Sequence, residues 1–433
     1  MSCWDFWLVQ AIKLGAVLAC LAGLNILVAF GQLWYVITRL GPGMETDALF
    51  AGMVIPQLVL AVVSGSLMHV LVPLLAAEDV TYFRRDAWGF LLAVTGLFAA
   101  GALMLALLAH WWVPVIVPGF SAQAKALTVS LTRIQLLGMV FTASVSVLWS
   151  VSHAKRRFIW AESSPVMASA LSFAFLVWAL PRYGVTAAAW SAVIAPGLQV
   201  AFLMPGIGRP CQPDWGSPAM VQARKRLQPL LVGTIYYKTD PAVDRFLASM
   251  APAGGLSLLH MGMQMFGAAN QIINKAIAAP MVPDLAVYSR TRDWHQFRGL
   301  YKKRLYWVLG FVLPGYLVFL VIGEPFLRLV IGYGGVNSGD VHMLWLIMAS
   351  LGGSLIGGAV GNITSVVFYA TADVATPTRL GIWTYTIYIP FKILAFYSLG
   401  VLGLAISTSV FVSINALLQY LILEMRSTKE WIK

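Results

Sequence analysis

Polar residues in this chain are sparse and bunched, and the stretches between the bunches are apolar on every face. The runs 87–113, 305–322 and 400–423 contain no Asp, Glu, Lys or Arg. Each is long enough, or nearly so, to cross a hydrocarbon core of roughly 30 Å. Inside lipid every backbone amide needs an internal partner, which leaves helices or the strands of a closed barrel. Barrel strands alternate between apolar and polar over about ten residues, whereas these runs are continuously apolar. The pattern therefore predicts an all-α polytopic membrane protein of about twelve spans. They fall near 10–36, 48–77, 87–112, 127–150, 164–181, 184–206, 227–250, 255–287, 304–323, 341–370, 378–398 and 400–423.

Composition strengthens the prediction. Of 433 residues, 59% are hydrophobic and 11% charged, against about 25% charged in soluble domains. Asp5 near the start, and an apolar stretch from Leu14 without a small-x-small site, predict that the first span is retained and not cleaved as a signal peptide. Cys3, Cys20 and Cys211 are scattered and form no metal or disulfide pattern.

Charge sets the expected orientation. The loops on one side hold 20 of the 29 Lys and Arg, among them Arg84, Arg85, Lys155, Arg156, Arg157 and Arg224 to Arg226. The other side holds Arg39, Lys125, Arg182 and Arg328, and the remaining five lie within spans. By the positive-inside rule the rich side, with both termini, is expected to be cytoplasmic, and the chain to lie in an inner membrane. The net charge of +12 then needs no nucleic-acid partner; topology and contact with anionic membrane lipids account for it.

The chain also repeats itself. YGVTAAAWSAVIAPGLQ (183–199) resembles LGVLGLAISTSVFVSIN (399–415), with Gly184 and Val185 matching Gly400 and Val401. Val72-Pro73-Leu74 echoes Val282-Pro283-Asp284, and Pro165 echoes Pro377. An even number of spans per repeat gives halves inserted in the same sense. We expect two six-helix lobes, 1–206 and 227–433, joined by a polar linker 207–226, with a substrate path between them. Similar helix packing without function is the alternative.

Several segments, in order, match a known family. GPGMETDALFAGMVIPQL (41–58) with VPLL (72–75), VPGF (117–120) before LTRIQLL (131–137), and AKRRF (154–158) cover the first half. VDRFLAS (243–249), VPDL (282–285), ATPTR (375–379), GLAISTS (403–409) and NALLQYL (415–421) cover the second. Together they resemble the MviN/MurJ lipid II flippases of the MOP exporter superfamily. The resemblance implies the MOP flippase fold and transport of a polyprenyl-pyrophosphate-linked glycan precursor across the inner membrane by alternating access. It implies no cofactor, with Na+ or H+ as a possible coupling ion. The partners it implies are the lipid-linked glycan, membrane lipids and cell-envelope synthesis proteins.

The chain departs from the family where a pyrophosphate would want arginine. The expected cationic positions fall at Gln32, at Leu60 and Ala61, and near Gly262, while the acidic position opening the second span is kept as Asp47. A repeat-unit flippase for polysaccharide or O-antigen is thus an alternative within the superfamily. A MATE-type exporter and a scaffold that has lost transport are further alternatives.

Ionisable residues inside spans are expensive and default to functional candidates. Asp240 and Asp244 are four apart on the seventh span, so they share a face. Pro241 between them frees a carbonyl, which together would suit a cation. In the family an acidic residue here, with polar residues on the eleventh span, is associated with sodium. That eleventh-span position aligns with Lys392, which we expect near Asp244, in place of the ion. On the eighth span Asn270 and Asn274, like Gln271 and Lys275, are four apart and make a polar face expected to line the cavity, with Lys275 a phosphate ligand. Arg133 either meets a phosphate or snorkels to the outer interface. Asn25 and Gln32 share a face of the first span and either line the cavity or bond between helices. His69, His260 and His342 are isolated and read as packed or interfacial. No HExxH, GxSxG, P-loop or Gly-rich nucleotide loop is present, so the expectation is a transporter and not an enzyme.

Overall fold

The structure, a computed structural model, describes residues 3–76, 80–371, 373 and 375–429. Lys13 and His69 lie in described helices, but their side chains are outside the described set. Among the described residues the secondary structure is helical, with no strand. The chain forms two compact units, Met1–Met250 and Ala251–Lys433.

The first unit holds α1 (Cys3–Leu40), α2 (Met44–Gly52), α3 (Val54–Ala76), α4 (Val80–Leu107), α5 (Ala109–Ile116), α6 (Ala122–Ala154), α7 (Phe158–Tyr183), α8 (Val185–Leu203), α9 (Pro218–Lys238) and α10 (Asp240–Ala248). The second holds α11 (Gly255–Ile273), a π-turn (Asn274–Ala278), α12 (Ala279–Thr291), α13 (Trp294–Ile331), α14 (Ser338–Ser350), α15 (Gly352–Ala370), α16 (Ala375–Leu399) and α17 (Val401–Lys429). Taking α2–α3, α9–α10, α11–α12 and α14–α15 each as one broken span, α5 as a connecting helix, and the turns at Gly184 and Gly400 as span ends, the described helices make the twelve that the hydropathy pattern predicts.

The interruptions have local causes. Proline lacks an N–H and its ring clashes with the carbonyl four residues back. Pro56 acts on Gly52, where α2 ends, and Pro280 acts on Ala276, inside the π-turn. The seventh span breaks at Thr239, and Pro241 sits in the first turn of α10. The break at Leu351 is followed by Gly352 and Gly353 and has no proline; its support comes from α17. Ser409 Oγ donates to Ser350 O at 2.6 Å and accepts from Ser354 N at 3.1 Å, while Ser413 Oγ donates to Gly353 O at 3.0 Å.

Helix α6 is the hub of the first unit, touching α2, α3, α4, α5, α7 and α8. Its buried serines and threonines return their hydroxyls to carbonyls one turn back, as Ser150 does to Ser146 and Ser152 to Leu148. Such self-satisfied hydroxyls let α6 be enclosed without leaving polar groups in an apolar medium. Helices α9 and α10, assigned by the twelve-span count to the second half, pack on α3. In the second unit α15 is the hub, between α13, α17 and α11. Its glycines at 353, 357, 358 and 361 allow close approach, the small-residue packing typical of helices in lipid.

Candidate functional site

Nine stretches of the described residues are long and apolar enough by themselves to cross a membrane. Of the other three, α11–α12 and α16 fall short among the described residues, and α9–α10 carries Lys238, Asp240, Asp244 and Arg245 in its sequence. These three carry Asp240, Asp244, Asn270, Gln271, Asn274, Lys275 and Lys392. Polarity placed in a span against its solvation cost marks the place to look for function.

In the first unit, Asp244 and Arg245 are buried side by side on α10, at 2% and 6% exposure. Asp240 stands half-buried in the first turn of the same helix, and both carboxylates lie within electrostatic reach of the Arg245 guanidinium. Sequence reasoning weighed the two carboxylates as a cation site and gave Arg245 no part; the structure makes the arginine a member of the cluster. Helix α10 rests on α3 and α5, and its end is clasped by the VPGF loop: Gly119 N donates to Ser249 Oγ at 3.3 Å.

Asp47 is buried in the first turn of α2, where free N–H groups and the helix dipole favour an anion. Thr46 closes that turn, accepting from Gly43 N at 2.9 Å and donating to Gly41 O at 3.0 Å. Gln135 on α6 donates to Leu49 O at 3.0 Å, capping α2 close to its break. Gln135 lies in the LTRIQLL motif, two residues from Arg133. Its partner is 86 residues away in sequence, so no local signal could have found it. Arg133 itself is exposed, and its Nε donates to Ala106 O at 3.1 Å, at the end of α4. Gln32 Nε2 donates to Ser169 O at 2.9 Å and Asn25 Oδ1 accepts from Ser169 Oγ at 3.2 Å, so both tie α1 to α7.

In the second unit, Lys392 is fully buried on α16. Its ammonium lies 4.8 Å from the centre of the Tyr388 ring, within cation–π range. Tyr388 is fixed in turn: its ring stacks on Phe411 at 4.4 Å and its hydroxyl bonds Thr408 at 3.0 Å. The eighth-span stripe divides within α11, between Asn270 and Gln271, and the π-turn that follows adds a residue to the helical period. Asn270 Nδ2 donates to Ser354 O at 3.4 Å and packs against Gly358, whereas Gln271, Asn274 and Lys275 are exposed. Gly262, where the family would place a cation, is packed against α14. A Cβ there would lie 3.2 Å from Ile347 and 3.4 Å from Met348 and Leu351.

The basic end of the second unit has its own network. Glu424 on α17 accepts from Arg298, Lys302 and the Tyr301 hydroxyl of α13, at 2.6, 2.9 and 2.5 Å. In the ATPTR region Asp373 binds Arg426 and both the N–H and the hydroxyl of Thr376. Partial burial pushes the Asp373 carboxyl up, but the Thr376 donors and Arg426 outweigh it and hold the group at about 2. Among the described residues no group of three or more His, Cys, Asp or Glu is placed to hold a metal ion.

Similar folds are known. A solved structure described as lipid II flippase MurJ in an inward closed conformation superposes with a TM-score of 0.84 at 16% identity, covering 94% of this chain and 87% of the other. An inward-facing MATE multidrug transporter of the MOP superfamily superposes at 0.72 with 15% identity, covering 95% and 94%. The fold is therefore that of the MOP exporters, a class of multi-pass membrane proteins. The lipid II flippase MurJ of Burkholderia cenocepacia is 22% identical over 408 residues, 89% of this chain and 78% of that protein. A probable lipid II flippase MurJ of Vibrio cholerae is 22% identical over 413 residues, 88% and 77%. The lipid II flippase MurJ family model matches residues 36–432, and the chain belongs to that family.

Proposed function

We infer that this protein is a flippase for a polyprenyl-pyrophosphate-linked glycan precursor of the lipid II type. It moves the headgroup across the bacterial inner membrane by alternating access, with both termini in the cytoplasm and without making or breaking a covalent bond. The observation that carries the reading is the family match along residues 36–432. Physical need supports it: a sugar and a pyrophosphate cannot enter hydrocarbon without replacement partners, and three of the twelve spans are polar enough to supply them. Gln271, Asn274 and Lys275 are exposed and available as headgroup ligands. Asp47 belongs with the headgroup-binding residues, and Asp240, Asp244 and Lys392 are the ion-coupling or ion-pairing set. In this reading Lys392 takes the place of a coupling cation, and coupling to sodium is weak or absent.

One observation favours a second reading, a repeat-unit flippase with a different headgroup. Near Gly262, where the resemblance expects an arginine, this chain offers no cation, and the glycine packs against Ile347, Met348 and Leu351. Complementation of a strain depleted of its own lipid II flippase separates the two. Growth on expression of this chain, lost with Lys275→Ala or Asp244→Asn at unchanged protein level, is the expected result. Expression at normal levels in the membrane without growth rescue refutes the lipid II cargo.

A further inference from the structure

A cleft of 380 Å³ opens at the basic end of the first unit, where α3 ends, α4 begins and α6 gives way to the turn before α7. Its apolar lining is Ala76, Ala154 and Phe83, over the buried Leu75 and Ile207. Two exposed cations stand on it, Arg84 and Lys155. Lys155 Nζ donates to Gly206 O at 2.8 Å and sits 4.8 Å from the Phe83 ring centre. One of three ammonium donors is thereby used and two are left. Arg84 makes no hydrogen bond or ion pair among the described residues, and Arg85, Arg156, Arg157 and Arg209 make no ion pair among them. Glu78 and Asp79, next in sequence, lie outside the described residues.

The backbone is shaped to hold this charge. Arg156 has φ of 56°, the left-handed conformation that glycine ordinarily supplies past a helix end. The turn is closed by Arg156 N to His153 O and Arg157 N to Ser152 O, both at 2.9 Å. An arginine kept in a glycine position is an outlier that points to use of the side chains around it. On the facing turn Gly208, with φ of 91°, brings the chain beside Arg84, whose Cδ would lie 3.6 Å from a Cβ added there. Burial, with the neighbouring charge of Arg157, pulls the Lys155 ammonium below the usual lysine range; an anion at the cleft would relieve both effects.

Cations with no ion-pair partner among the described residues, beside an apolar lining at the end of membrane-spanning helices, fit an anionic amphiphile. A free phosphate would satisfy the cations and leave the lining wet. We propose that this cleft is a binding site for an anionic glycerophospholipid, its phosphate between Arg84 and Lys155 and the start of one acyl chain against Ala76, Ala154 and Phe83. The site lies within one unit, apart from the residues assigned to cargo.

Native mass spectrometry of the full chain, titrated with phosphatidylglycerol or phosphatidylcholine, tests this without any transport step. The expected result is tighter binding of phosphatidylglycerol, weakened about fivefold by Arg84→Gln, roughly the worth of one cation near an anionic headgroup. Lys155→Gln should weaken it similarly, and Lys155→Arg should restore it. Arg182→Gln, at the other end of α7, should change nothing. Millimolar inorganic phosphate should leave the lipid bound. Arg84 is exposed and makes no bond, so Arg84→Gln folds and decides the matter alone. Equal binding of the two lipids, wild-type affinity in Arg84→Gln, or displacement by inorganic phosphate each overturns the proposal.

Discussion

The close contact of α15 with α17 makes a sharp prediction from two glycines one helical turn apart. A Cβ added at Gly357 would lie 2.8 Å from Ser413 Cα, 2.9 Å from Ser413 N and 3.0 Å from Val412 C. All three are backbone atoms, so no rotamer change makes room. Carbon pairs settle at about 3.5–4.0 Å, and α17 would have to withdraw by up to about 1 Å along this turn. The withdrawal pulls on the Ser413–Gly353 and Ser409–Ser350 bonds that hold the break at Leu351. At Gly361, on the same face, the nearest atom to an added Cβ is the Ala416 methyl at 3.8 Å, an ordinary contact.

The same substitution should therefore act oppositely at the two sites. Overpacking costs about 1–3 kcal/mol, and each interhelical side-chain bond lost in a bilayer adds about 0.6 kcal/mol. Against this, alanine gains up to about 1 kcal/mol over glycine in helix propensity. Gly357→Ala should destabilise by about 1–3 kcal/mol net, and Gly361→Ala should be neutral or stabilising by up to about 1 kcal/mol. Reversible unfolding in mixed micelles reads both differences on one scale. If Gly357→Ala proves as stable as Gly361→Ala, the backbone contact does not hold the broken span together and the reasoning fails.

Three further outcomes follow from other parts of the molecule. Gly119→Ala would put a Cβ 2.4 Å from Ser249 O and 2.5 Å from Met250 Cα; both are main chain, so a fall in folded yield and a loss of at least about 2 kcal/mol are expected in the same unfolding assay. Gln135→Leu keeps the volume but strips the partner from Leu49 O, a buried group, and should cost about 1–3 kcal/mol; unchanged stability would show that the carbonyl finds another donor. For Asp373 the folded state holds the carboxyl at about 2, below its ordinary 3.8. A depressed carboxylate stabilises fully above its unfolded value and loses that contribution as pH falls through the folded one. Asp373→Asn should thus be less stable than wild type at pH 5 and above, and the gap should close between pH 4 and 2 in a thermal-shift series. A gap independent of pH would assign the loss to the Thr376 and Arg426 hydrogen bonds alone.

Those predictions rest on contacts between residues far apart in sequence, and this divides what the sequence disclosed from what it did not. Apolar runs fixed the class because solvation in lipid is a local property of composition. Within the runs, Pro241 marked the seventh-span break to within two residues and Pro56 lies one turn past the second. The break at Leu351 had only Gly352 and Gly353 to announce it, and its stability resides in Ser409, 55 residues on. The eighth-span stripe was drawn at a constant helical period. Asn270 is turned into packing with Ser354 and Gly358, and the π-turn after Ile273 shifts Asn274 relative to it, so Asn274 is exposed with Gln271 and Lys275. Lys392 could be singled out as a charge in a span, but its burial beside Tyr388 and the ring stack on Phe411 are tertiary facts. A span can advertise that it carries costly polar groups. Which of them are spent on holding helices together and which remain for a ligand is decided by the neighbouring helices, and in this protein those neighbours lie up to 144 residues away.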